Sequence, residues 1–302
     1  MTPPAGGYAW WYVDALSDDG AYGITLIAFL GSVFSPYYAW KRRAWKRGRG
    51  EADPLQHCAL NVALYGKTRR WAMTERRAAA IRRGSDFLGI GPSSMSWDGS
   101  GLTVLIDEVG APSPRRIRGQ VRLYPSAIET RVRTLDSAGR HRWQPIAPCA
   151  RVEVALDRPG VAWSGPAYFD SNDGDRPLEA DFVRWHWGRA RVPGGTAVLY
   201  DVERRDGPMS LAMRYDDAGG VTDFEPPAAV ELPATMWRVP RKISAVAPAV
   251  VETLEDTPFY ARSLVGAEIM GQRVTAMHES LSMERFATTW VQAMLPFRMP
   301  RV

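Results

Sequence analysis

The sequence predicts an all-β protein made of two antiparallel barrels in tandem, with little helix. Three observations carry this. Short alternating segments recur along the chain, each bounded by Gly, Pro, Asp or Asn. The 23 prolines oppose long helices, because each lacks an N–H and clashes with the preceding turn. The 302 residues suffice for one large domain or two medium ones. Barrels suit a meandering β pattern, since closure removes exposed sheet edges.

The elements follow in order. Trp10–Ala15 reads as a strand, Ser17–Gly20 (SDDG) as a turn, and Gly23–Phe29 as the returning strand. Met73–Arg83, rich in Ala and Arg, is expected to be helical. Met95–Trp97, the turn Asp98–Gly101 and Leu102–Asp107 form a second hairpin. Arg118–Leu123, Arg151–Leu156, Phe182–Val192, Ala197–Arg204, Ser210–Tyr215 and Val221–Phe224 read as further strands. Turns at Pro193–Gly195, Arg205–Gly207 and Asp217–Gly220 punctuate the last four. Near the C-terminus a strand through Leu281 and a short helix beyond it are expected. The division between barrels falls in the Asp-, Gly- and Pro-rich stretch Ser171–Glu179, giving residues 1–175 and 176–302.

Composition narrows the function. A hydrophobic fraction of 45% with 24% charge excludes a disordered chain. Twelve Trp and eleven Tyr exceed what a core of this size requires. Wide β cores absorb many of them, and the remainder suit the lining of a long apolar pocket. Net charge is +5, and residues 41–49 (KRRAWKRGR) hold six basic side chains around Trp45. No nucleic-acid motif accompanies them. A solvated loop is the default reading, and among the functional ones the apolar, aromatic flank (AFLGSVFSPYYAW) favours contact with an anionic lipid surface over nucleic acid. Cys58 and Cys149 are too few for a zinc site by themselves or for a disulfide framework, and no phosphate-binding loop is present. Met1–Gly7 lacks the basic and apolar regions of a signal peptide. Ile24–Val33 is broken by Gly31 and Ser32 and falls short of the roughly 20 residues a spanning helix needs. These features lead us to expect a protein at the cytoplasmic face of a membrane, held peripherally.

The densest chemistry lies in Asp170–Ala190 and Thr196–Gly207. There Asp170, Asn172, Trp185, His186, Trp187, Tyr200 and Asp201 occur together. Acids among large aromatic faces suit acid chemistry on an apolar, electron-rich substrate. Desolvation disfavours the carboxylate anion, and an aromatic face stabilises a cation where water is excluded.

Several blocks carry a family resemblance: Gly7–Asp14 (GYAWWYVD), Gly31–Trp40, His57–Gly66, Trp71–Arg76, the Tyr168–Gly174 acid motif, Trp185–Trp187 and His278–Phe286 (HESLSMERF). Together they resemble the carotenoid 1,2-hydratases, or hydroxyneurosporene synthases, over nearly the whole chain. The Trp-Trp-Tyr opening and the aromatic-Asp motif are also similar to a wider group of lipocalin-like two-barrel proteins that includes tocopherol cyclases. The resemblance implies two lipocalin-like barrels and a cofactor-independent hydro-lyase of photosynthetic bacteria. Its substrates would be acyclic carotenes such as neurosporene or lycopene, on the route toward spheroidene. Water would add across the terminal C1=C2 double bond to give a tertiary 1-hydroxyl.

That reaction needs a strong acid, cation stabilisation and a placed water, and neither metal nor nucleotide. Asp201 is the favoured donor because it interrupts an otherwise apolar strand, with a surface carboxylate paired to Arg204 as the competing reading. Asp170 is the second candidate, set against a turn-capping role. His186 is assigned to positioning the acid or taking a proton from water, with His278 as its competitor. Tyr200 joins the catalytic set. Trp11, Tyr12, Trp185 and Trp187 are the substrate-binding candidates, and Asp14 lies on the side of Tyr12. Alternation limits these assignments. His186 faces opposite to Trp185 and Trp187, and Tyr200 opposite to Asp201. A non-catalytic isoprenoid carrier and a proton-initiated cyclase are the alternatives.

Overall fold

The computed structural model describes residues 2–302. The chain divides into two compact units: residues 1–177 with 293–302, and residues 178–292. Both are built on curled antiparallel sheets, so the lipocalin-like, all-β class read from the sequence is the class found.

The first unit contains β1 (Tyr8–Leu16), β2 (Tyr22–Leu30), β3 (Ala59–Gly66), β4 (Arg70–Met73), β5 (Ile81–Arg83), β6 (Phe87–Ile90), β7 (Ser93–Trp97), β8 (Leu102–Val109), β9 (Arg116–Pro125), β10 (Arg133–Thr134), β11 (His141–Arg158) and β12 (Val161–Gly174). They form one 12-stranded sheet in the order β4-β3-β2-β1-β12-β11-β9-β8-β7-β6-β5, with β10 paired to β11. One face of this sheet holds an apolar core that includes Val13, Ala15, Leu26, Val104, Val121, Val152 and Ala167.

The second unit contains β13 (Phe182–Val192), β14 (Gly195–Arg204), β15 (Gly207–Asp216), β16 (Val221–Asp223), β17 (Val230–Glu231), β18 (Lys242–Ile243), β19 (Val246–Asp256), β20 (Tyr260–Ile269) and β21 (Gln272–Ser282). Seven of these pair as β16-β15-β14-β13-β21-β20-β19, while β17 and β18 pair with each other. Its core includes Ala190, Leu199, Ala212, Val265 and Ala276. After β21 come two short helices, Met283–Phe286 and Thr289–Met294, as expected for this stretch. The last residues return to the first unit, where Arg301 bridges Glu75.

Two local expectations are corrected. Met73–Arg83 is not helical. β4 ends at Met73, a single 3-10 turn spans Ala78–Ala80, and Ile81–Arg83 is strand. Buried side-chain partners override the helical propensity of this stretch. Glu75 binds His57 at 2.9 Å, and Arg76 binds Glu108 at 2.8 Å. The helix lies instead at Pro36–Trp45, here α1. The Ser35 hydroxyl accepts the Tyr38 N–H at 3.0 Å, and Pro36 occupies the first turn, where its missing N–H costs nothing.

Candidate active site

Alternation along β1 sorts its side chains onto two faces. Trp11, Val13 and Ala15 lie on the core side. Tyr8, Trp10, Tyr12 and Asp14 lie on the other, and all four are buried. Register extends this second face across the sheet. Tyr12 stands opposite Asp170, Asp14 opposite Tyr168, and Trp10 opposite Asn172. β11 adds Trp143 opposite Asn172 and His141 opposite Gly174. One sheet face thus gathers two carboxyls, a histidine and five large aromatic rings.

Asp170 is the centre of this group. It is 4% exposed, and two donors converge on its Oδ2: Trp143 Nε1–H at 2.9 Å and the Tyr168 hydroxyl at 2.8 Å. Asp14 accepts the Tyr12 hydroxyl at 2.9 Å. The Tyr12 and Tyr168 rings meet edge to face at 6.3 Å between centroids. Tyr8 stacks on Trp10 at 5.0 Å, and its hydroxyl lies 2.9 Å from His141 Nδ1. Gly174 makes that last pairing possible, because a Cβ there would fall 2.5 Å from the Tyr8 ring and 2.8 Å from His141 Nδ1.

The second unit holds the other candidates. His186 stands opposite Asp201 on β14 and opposite Ser280 on β21. Its Nδ1 lies 2.9 Å from Ser280 Oγ, and its ring stacks on His278 at 6.3 Å. Asp201 is only partly buried, and both its oxygens accept hydroxyl hydrogen bonds, from Ser210 and from Ser244 at 3.0 Å. Tyr200 lies on the opposite face with Trp185 and Trp187, its ring 5.1 Å from that of Trp185. The second unit therefore places His186 with Asp201, and Tyr200 with the two tryptophans.

Burial keeps the two histidines neutral. It lowers His186 to about 3 and His278 to about 4, and in each case desolvation is the main cause. Neutral His278 donates from Nε2 to the Lys242 carbonyl at 2.8 Å, which fixes its tautomer. Both groups bind protons more readily unfolded than folded. Stability is therefore full above about pH 6.5 and declines as pH falls toward about 4, by about 1.4 kcal/mol per pH unit for each histidine. Urea unfolding across this range should show the slope in the wild type and a flatter one in His186→Gln/His278→Gln. A flat wild-type profile would contradict it.

The substrate-binding candidates also separate. Trp11 faces the core of the first unit and lines a cavity of about 480 Å³ with Phe169 and Trp97. Tyr12 lies on the Asp170 face. Among the described residues, no three His, Cys, Asp or Glu side chains cluster as a metal site.

The profile of the family described as carotenoid hydratase CrtC matches residues 26–302. The chain belongs to the carotenoid hydratase family. The acyclic carotenoid 1,2-hydratase of Thiocapsa roseopersicina is 56% identical over 308 residues, covering 100% of this chain and 74% of its own. That of Cereibacter sphaeroides is 40% identical over 283 residues, covering 91% and 98%. Solved structures give the fold alone. An AttH protein of Nitrosomonas europaea aligns with a TM-score of 0.60 at 15% identity, covering 91% of this chain and 92% of its own. Kievitone hydratase of Nectria haematococca aligns at 0.55 and 9%, covering 95% and 92%.

In this carotenoid hydratase chain, the Asp170 face also gathers His141, Trp143 and Tyr168, which are not among the candidates taken from the sequence. A signal for them existed. His141 and Trp143 are two residues apart, as are Tyr168 and Asp170, so each pair must share a face of its strand.

Proposed function

We propose that this chain adds water across the terminal C1=C2 double bond of an acyclic carotene, with Asp170 as the proton donor. The family membership supplies the reaction class. The observation that carries the assignment of the acid is Asp170, buried among aromatic rings and bound at one oxygen by Trp143 and Tyr168. Burial favours the protonated acid before reaction. The two donors stabilise the carboxylate left after the proton departs, so their effect grows as charge develops.

In the first step an Asp170 O–H bond breaks as a C–H bond forms at C2. Positive charge appears at the tertiary C1, beside aromatic faces that stabilise it. Water then bonds to C1, and its surplus proton returns to the Asp170 carboxylate. The net change is addition of one water, with the acid regenerated. No step consumes a cofactor. Asp14 is a second buried carboxyl on this face, and Tyr12 links it to the Asp170 register position. Asp201 and His186 are, on this reading, a structural polar pair of the second unit. That reverses the order of preference between the two acids.

Isotope labelling tests the reaction. Product made in heavy-oxygen water should carry the label in its hydroxyl, and product made in deuterated water should carry one deuterium at C2. An unchanged polyene would point to a carrier, and an isomer without added oxygen to a cyclase.

Substrate arrives from a bilayer on this reading, and α1 is the docking element. Trp40 and Trp45 are 41% and 39% exposed, and Lys41, Arg43, Lys46, Arg47 and Arg49 are exposed beside them. Arg42 is excluded from the surface, since it is buried over the Tyr38 ring at 4.5 Å. Each exposed cation contributes about 1 kcal/mol near anionic lipid. Flotation should therefore show binding to anionic vesicles that weakens with salt and with Lys46→Glu/Arg47→Glu. Equal binding to neutral vesicles would defeat the electrostatic part.

A further inference from the structure

The cavity on the core side of the first unit has no part in the reaction just described. It measures about 480 Å³, within the range of about 300–1,000 Å³ typical of small-molecule sites. Trp11, Leu88, Met95, Trp97, Leu102 and Phe169 line it, and all six belong to or pack on the apolar core. Polar groups sit among the lining residues as well, including Arg83, Asp86 and Ser96. Two strands relate this cavity to the reacting acid. Trp11 precedes Tyr12 on β1, and Phe169 precedes Asp170 on β12, so each cavity residue points through the sheet away from its site neighbour. The part of a chain lying against Trp11 and Phe169 is on the opposite face of the sheet from the Asp170 carboxyl.

We propose that this cavity is a second, non-reacting binding site for an acyclic isoprenoid chain. The walls match such a ligand. They offer flat indole and phenyl faces and branched aliphatic side chains, against which a polyene buries apolar surface. The lining holds a single basic side chain, Arg83, and no second one to pair with it on a phosphate. The ligand class rests on the hydratase reading above. The site's separation from catalysis rests on Asp170 being the acid.

The test counts bound lycopene and measures turnover in the same preparations. Lycopene delivered in detergent is separated from protein by gel filtration and quantified by absorbance. In Leu102→Phe/Met95→Phe the cavity is filled by apolar volume. Bound lycopene per chain is expected to fall about twofold, while kcat for hydration stays at the wild-type level. Unchanged binding would overturn the proposal, because the cavity would then not hold this ligand. Loss of hydration in a folded variant would overturn it too, because the cavity would then belong to the reaction site. If overpacking prevents folding, Trp97→Ala enlarges the cavity instead. It should change lycopene binding and leave kcat alone, and no change in binding would be decisive against the site. The acid assignment is separable, since turnover by Asp170→Asn would refute that assignment without altering the binding count.

Discussion

Asp170→Asn is expected to reduce hydration by about 10²–10⁴-fold, the contribution of a positioned general acid. The substitution keeps the shape of the side chain, and an amide oxygen can still accept from Trp143 and Tyr168. Fold and polyene binding should therefore survive, and the loss should fall on kcat. Asp201→Asn is the matched control. Asp201 is partly exposed and held at both oxygens by serine hydroxyls, so its replacement should cost less than about tenfold. Product accumulation by the two variants, at equal soluble expression, decides between the acids. A larger loss in Asp201→Asn than in Asp170→Asn would move the chemistry to the second unit.

The second large effect is expected from the donors to Asp170. Tyr168→Phe removes one hydroxyl and leaves the ring in place, and Trp143→Phe removes the indole N–H. Each should lower kcat by about 10²–10³-fold, the usual cost of losing a donor aimed at developing charge. KM should move little, because the hydrogen bond matters most once the carboxylate forms. The pair should also be non-additive, since both donors act on Oδ2 of one side chain. Steady-state kinetics of the two single variants and the double variant test this. Strict multiplication of the two losses, or a loss confined to KM, would mean that Tyr168 and Trp143 shape the pocket without stabilising the anion.

Both expectations depend on which face of a strand a residue occupies. Alternation by itself settles which residues share a face. It correctly divided Trp185 and Trp187 from His186, and Tyr200 from Asp201. It does not settle which face meets the reacting group. The composition of Ala197–Val202 drew attention to Asp201 as an acid in an apolar strand, yet two serines from elsewhere in the second unit hydrate that position in effect. Asp170 sits in a run of Asp, Asn and Gly that reads as loop, yet β12 extends through Gly174 and carries Asp170 into a buried register with Tyr12. The helix shows the same limit. Ala-rich propensity pointed to Met73–Arg83, while buried partners for Glu75 and Arg76 held that segment extended.

The amino-acid sequence by itself determined the all-β class, the hairpin positions and the chemical family. These depend on local turn chemistry, period-two patterning and long blocks of unusual composition, all written in contiguous residues. Only the tertiary structure decided which acid is buried and what binds it. Trp143 and Asp170 are 27 positions apart, and their 2.9 Å contact follows from the pairing of β11 with β12. Desolvation and donor geometry depend on every strand that covers a side chain, so no local segment can specify them.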